Sequence, residues 1–235
     1  LSDALDNPRV AAPGNVVNDW RRDVNSQRVF ATTSFSVGGT EVKLGGSYSH
    51  KTLFHPVPVL LDQESELYSV FVSYEGGADI GGMPMAWSAG LRYRGTDLDG
   101  RVCLNFGGLP GPLIGHSLQR SSSIEAYGEV RAEVLPRLEA IAGAVFVRTV
   151  RDYDDLLNDA EDDRLAFSKL SPRFGLLWRA NNELQLFANA SASFEAPTFL
   201  DLTQAGVAGF TPIEAQEGFS YEFGGRGRVG RLSFE

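Results

Sequence analysis

Cys103 is the only cysteine in the chain, so an intrachain disulfide or a cysteine-rich zinc site is impossible, and a lone thiol is most often inert. Long apolar runs are missing as well. The longest, Ala140 to Val147 with Gly143 inside it, falls far short of the ~18 to 20 residues that a membrane-spanning helix requires. Convincing helical periodicity is found nowhere. Positive charge is scarce: the formal charge is −9 and the basic residues are scattered, which argues against a nucleic-acid partner. No charged and apolar leader opens the chain at Leu1, and Glu235 stops inside the alternating run Arg231 to Phe234. Both ends are therefore expected to be cut edges of a longer protein.

Alternation with a period of two fills most of the remainder. In Glu41 to Lys51, Val42, Leu44, Gly46 and Tyr48 oppose Glu41, Lys43, Gly45, Ser47, Ser49 and Lys51. Met85, Trp87, Ala89, Leu91 and Tyr93 oppose Ala86, Ser88, Gly90, Arg92 and Arg94 in the same way. Strands are expected near 27–37, 41–51, 66–76, 84–94, 121–134, 138–150, 167–179, 183–194 and 217–227, with another starting near 230. Leu138 to Arg148 is apolar on both faces.

The connections alternate in length. Gly38 to Thr40, Gly77 to Gly82, Leu135 to Arg137 and Ala180 to Asn182 read as short turns carrying Gly, Pro or Asn. Between them, Thr52 to Ser65, Gly95 to Arg120, Arg151 to Leu165 and Ala196 to Gln216 read as long loops, with Leu1 to Ser26 as another. Short turns on one rim, long loops on the other, and strands of roughly 10 residues with one apolar face form the pattern of an outer-membrane barrel. A soluble sandwich, the competing all-β reading, has shorter strands and no such alternation. The polar parity would then face the lumen. Tyr48, Tyr68 and Tyr93 would lie in one aromatic girdle near the loop end, and Tyr74 and Trp178 in a second near the turn end.

Two stretches carry more than barrel grammar. Phe167-Ser-Lys-Leu-Ser-Pro-Arg-Phe-Gly-Leu-Leu-Trp178, followed after a short turn by Leu184 to Leu202 with its Phe194-Glu-Ala-Pro-Thr198 segment, resembles the central barrel region of TonB-dependent receptors. Tyr221-Glu-Phe-Gly224 after Glu214 and Glu217 resembles the next strand of that family, and Ser123 to Glu129 an earlier one. The resemblance implies an all-β fold: an antiparallel up-and-down transmembrane β-barrel wall, a truncated fragment of a larger barrel of about 22 strands around a plug. Residues 1–235 would be one partial barrel domain with neither plug nor coupling box. It further implies an outer-membrane location and energy-coupled uptake of an iron chelate of the ferric siderophore type. The implied partners are that ligand, outer-membrane lipid and lipopolysaccharide, and the TonB system through the plug.

Chemistry of other kinds finds little support in the sequence. His116 and Ser117 are adjacent, so on an extended chain they point apart and cannot be the base and nucleophile of a hydrolase. The glycines from Gly107 to Gly115 match no phosphate-cradling or dinucleotide fingerprint and read as a mobile loop. Asp152, Asp154, Asp155, Asp159, Asp162 and Asp163 form an acidic loop without a calcium-loop spacing, so a solvated surface is the expectation. His50, His55 and His116 are isolated. No catalytic residue, cofactor or metal ligand is assigned. Ferric chelates are commonly anionic, so lumen-facing arginines and rings at the loop end are the candidate ligand contacts: Arg28, Arg92, Arg94, Arg151 and Tyr153. For Arg92, a wall ion pair with Glu125 is the preferred competing role. A small barrel protease or lipase, and a diffusion porin, stand as the alternative functions.

Overall fold

The computed structural model describes residues 13–158, 162–203, 210–211, 213–230 and 232–234. Ten strands form one antiparallel sheet in strictly sequential order: β1 (Asp23–Val37), β2 (Thr40–Pro56), β3 (Val59–Ile80), β4 (Met83–Phe106), β5 (Leu109–Leu135), β6 (Leu138–Asp155), β7 (Asp163–Arg179), β8 (Leu184–Glu195), β9 (Gln216–Val229) and β10 (Leu232–Phe234). Two short helices, α1 (Pro13–Val17) and α2 (Phe199–Leu202), are the exceptions to the expectation of no helix. The wall is open, with β1 and β10 at its edges.

Register fixes which side chains share a face. Across β2 and β3, Val42 pairs with Tyr74, Leu44 with Val72 and Tyr48 with Tyr68, while Lys43 pairs with Ser73 and Ser47 with Ser69. The expected apolar and polar parities therefore become two faces of the sheet. On the polar face hydroxyls bond across the ladder, Ser47 to Ser69 at 2.9 Å and Ser123 to Thr149 at 3.0 Å. Among the described residues nothing packs on the apolar face: Phe223 is 89% exposed, Tyr221 78% and Phe174 61%. Rings left so bare in water would form an apolar patch far beyond what a soluble monomer tolerates, and lipid removes that penalty.

The border of this apolar face moves steadily along the sheet. Tyr48 and Tyr68 share a hydrogen-bonded row, whereas Tyr93 lies one same-face step below the row that joins Tyr68 to Gly95. Tyr93 shares its row with Ile124 and Arg148, and on β6 the first break in the apolar face is Arg148, just above Phe146. A level membrane border crosses successive rows in this way when strands are tilted, as in every membrane barrel. Above it the same face turns polar: Glu64 and Glu66 on β3, Asp97 and Asp99 on β4, Arg120 on β5 and Asp152 on β6.

Two expected loops are corrected to sheet. Thr52 to Ser65 and Gly95 to Arg120 continue the strands upward as hairpins, so β3, β4 and β5 reach 22, 24 and 27 residues. Gly107 and Gly108, expected in a mobile loop, form the tight turn at the tip, with φ of 65° and 86°. Those angles suit a two-residue hairpin turn that L side chains adopt with strain. The sequence hid these extensions because above the lipid border both faces of a strand are wet, and apolar alternation disappears while pairing continues. Bulges between Val102 and Asn105 break the register further.

The overhang carries its own small core of Leu53, Pro56, Leu60 and Cys103. The Asn105 amide donates to the carbonyls of Asn18 (3.0 Å) and Val57 (2.8 Å), and Arg21 stacks 5.3 Å over Phe54. Leu1 to Ser26 is thus not all loop: its residues 13–17 are helical and β1 begins at Asp23, while residues 1–12 lie outside the described residues. The four expected short turns are present, tightened to residues such as Gly81-Gly82 where β3 runs on to Ile80.

Candidate functional site at the upper polar face

Five residues were expected to gather at the mouth, and the structure sorts them into three kinds. Arg28 on β1 sits opposite Ser49, and Arg94 on β4 lies between Ser69 and Ser123. Neither has an acidic or hydrogen-bonding partner among the described residues. Arg92 lies directly across from Glu125 with N···O at 4.0 Å, so the expected wall pair exists at the outer limit of an ion pair. Arg151 and Tyr153 do something else.

Arg151, part-buried on β6, is the hub of a compact assembly. One guanidinium nitrogen donates to the Ser121 hydroxyl of β5, Nε donates to the carbonyl of Pro197 at 3.2 Å, and the group lies 5.7 Å from the Phe199 ring centre. Phe199 in turn packs on Phe210 at 6.2 Å, and Phe210 on Tyr153 at 5.8 Å. The Phe210 amide donates to the Asp163 carboxylate at 3.1 Å, and Leu202 and Phe210 are buried. The segment expected as a polar loop from Ala196 to Gln216 is therefore in part a packed element; its residues 204–209 and 212 lie outside the described residues.

Local sequence explains the turn inside it. Thr198 caps α2: its hydroxyl accepts from the Asp201 amide at 3.3 Å, while the Thr198 amide and hydroxyl both donate to the Asp201 carboxylate, at 2.8 and 2.7 Å. These bonds hold the Asp201 carboxyl below the ordinary carboxylate range. The Thr-x-x-Asp spacing was visible as a capping box, the signal by which sequence reading could have found this turn. Ser121, Pro197, Phe199 and Phe210 carried no comparable signal.

The sheet parts between β7 and β8 at this level. The β7–β8 ladder runs only from Arg173 opposite Ser191 to Arg179 opposite Gln185. The next pair would set Pro172 against Ala192, and proline has no N–H to give. Above it, residues Asp163 to Pro172 pair with β6 alone among the described strands, whereas Ala192 to Glu195 keep pairing with β9. Lys169 and Glu217 bridge the opening at 2.6 Å.

Lower on the same polar face, Glu129 is buried and ion-paired to Arg131 at 2.8 Å and to Arg173 on β7. The acidic loop is spent on ion pairs and turns. Asp154 meets Arg120 at 3.2 Å, Asp152 meets Arg164 at 3.5 Å, and the Asp155 carboxylate accepts from the Leu157 and Asn158 amides. Asp159 lies outside the described residues. No group of three or more metal-ligating side chains occurs among the described residues. His116 bonds Asp99 at 2.9 Å on the apolar-parity face, and Ser117, next in the strand, points to the opposite face.

An antiparallel wall with a bare apolar face, an aromatic upper border and a hydroxyl- and ion-lined opposite face is the wall of a transmembrane β-barrel. The family model described as TonB dependent receptor-like, beta-barrel, matches residues 2–235. The chain belongs to that family. No curated protein matches the chain in sequence. Among solved structures it is similar to the ferric citrate transporter FecA, with 13% identity, a TM-score of 0.70, and 89% of this chain covered against 33% of that one. The ferric-catecholate import receptor Fiu from E. coli K12 gives 11% identity and a TM-score of 0.70 over 88% of this chain and 39% of that one. The alcaligin outer membrane receptor FauA from Bordetella pertussis gives 15%, 0.65, 88% and 34%. The chain thus spans 33–39% of the length of these structures, and at such identities the likeness is one of fold.

Proposed function

We propose that this wall serves a receptor for energy-coupled uptake of a ferric siderophore across the bacterial outer membrane, which it crosses many times. The observation that carries the reading is that Arg28 and Arg94, on the polar face near the upper border, have no partner among the described residues. Free cations beside Ser49, Ser69 and Ser123 offer an anionic chelate both charge and hydrogen bonds. The family supports the transport class, and the names of the similar structures support an iron chelate. Arg92 belongs to this surface as a second-rank contact because Glu125 already competes for it.

The reading brings further partners: a plug domain that couples to the TonB system on the polar face, and lipid with lipopolysaccharide on the apolar one. Arg148, immediately above Phe146 on the apolar-parity face, would offer a cation to lipopolysaccharide phosphate. A hydrolytic barrel enzyme gains no support, because His116 and Ser117 face opposite sides of the sheet. The test is the Arg28→Ala, Arg94→Ala double variant in the receptor as it stands in the membrane, titrated with ferric citrate and with a ferric catecholate. At least one chelate should bind about tenfold more weakly, the equivalent of roughly 1.4 kcal/mol. Unchanged affinity for every chelate that the parent binds would overturn the assignment.

A further inference from the structure

We propose that Arg151 is a positioning residue: it latches Pro197 to Leu202, the described start of the β8–β9 connection, onto the β5–β6 part of the wall and so shapes the ligand mouth without touching ligand. This deepens the receptor reading above, on which its binding readout rests.

The geometry of the guanidinium leads there. Its donors are directed at Ser121 on the neighbouring strand and at the Pro197 carbonyl, and its face lies toward Phe199. Two of its five N–H donors are committed within the protein and a ring lies beside it, which leaves less of the fork for a soluble anion. Arg28 and Arg94 have their full donor sets open by contrast.

Pro172 ends the β7–β8 ladder, leaving the upper part of β7 with one partnered edge among the described strands. Pro197 to Leu202 and Phe210 are tied to the wall at three points among the described residues: Arg151 to Pro197, the Phe210 amide to Asp163, and Phe199 and Tyr153 around Phe210. Of these, only the first joins three chain segments at once, β5, β6 and the connection. Arg151 is therefore the point at which a single change frees the segment.

The experiment compares Arg151→Ala, Arg151→Lys and Phe199→Ala in the membrane-embedded receptor, each checked for a folded barrel by its heat-modifiable electrophoretic mobility. Hydrogen exchange is read at the amides of Asp201, Leu202 and Thr203, and affinity is read with the chelate that the parent binds. Arg151→Ala should lower protection of those amides at least tenfold and weaken binding about tenfold. Arg151→Lys should fall between, since one ammonium cannot reproduce the fork. Phe199→Ala, with Arg151 intact, should loosen the same amides, and it carries the test if Arg151→Ala fails to fold. Weaker binding with unchanged protection would make Arg151 a ligand contact and overturn the proposal, as would full protection in both alanine variants. If the parent binds no chelate, the receptor reading fails while exchange still judges the latch.

Discussion

Tyr127 lies directly across the ladder from Gly90, its ring covering the glycine so closely that no Cβ could stand there. Phe71 over Gly45 and Phe187 over Gly224 repeat the arrangement on the same polar face. Each ring lies flat along the wall, covering backbone that a glycine leaves bare and keeping its bulk out of the lumen. Gly90→Val should displace the Tyr127 ring and destabilise the wall by about 1–3 kcal/mol, the usual range for overpacking. Gly128→Ala, where a Cβ would meet nothing within 4 Å, is the neutral control. Urea unfolding of both variants in detergent micelles checks the difference, and equal midpoints would refute it.

The two faces should tolerate charge very differently. Phe174 faces lipid near the middle of β7, and Ser171, three residues earlier, lies on the polar parity. Phe174→Arg is expected to cost about 2–4 kcal/mol in a bilayer, and Ser171→Arg close to nothing. Folding titrations into lipid vesicles measure both. A larger loss for Ser171→Arg would mean that the faces are assigned the wrong way round.

Acid should loosen the α2 turn. Hydrogen bonds from Thr198 depress the Asp201 carboxyl, so its contribution is fully present above the unfolded value of ~3.9 and is lost as pH falls through the lower folded value. Protection at Leu202 and Thr203, corrected for intrinsic exchange, should stay flat from neutral pH to about 4 and decline below it. Asp201→Asn should start lower and show no such decline, and a decline beginning near neutrality would point to a different group.

Removal of Gly95 to Arg120 should unfold more than a loop. Those residues pair with Val59 to Tyr68 on β3 and with Asp152 to Asp155 on β6, so their loss strips partners from both neighbours. Deleting only the tip, Leu104 to Pro110, leaves most of these ladders in place and should preserve the folded barrel. Heat-modifiable mobility separates the outcomes, and a fully folded long deletion would show that the overhang contributes nothing to the wall.

Alternation of residues such as Val42 to Tyr48 and Leu184 to Ala190 sufficed to place strands, faces, turns and strand order, because the side-chain period in a strand is two and lipid on one side imposes it on composition. Arg92 opposite Glu125 was legible for the same reason. The limits of legibility follow the limits of that solvent asymmetry. Above Tyr48 and Tyr68 both faces are wet, so hairpins such as Leu98 to Leu118 look like loop, and only pairing with neighbouring strands reveals them as sheet. The role of Arg151 needed tertiary structure most of all: parity sets its direction, but its contacts with Ser121, Pro197 and Phe199 join residues 30, 46 and 48 positions apart in sequence. Such contacts depend on how strands lie side by side, a distance that no local pattern encodes.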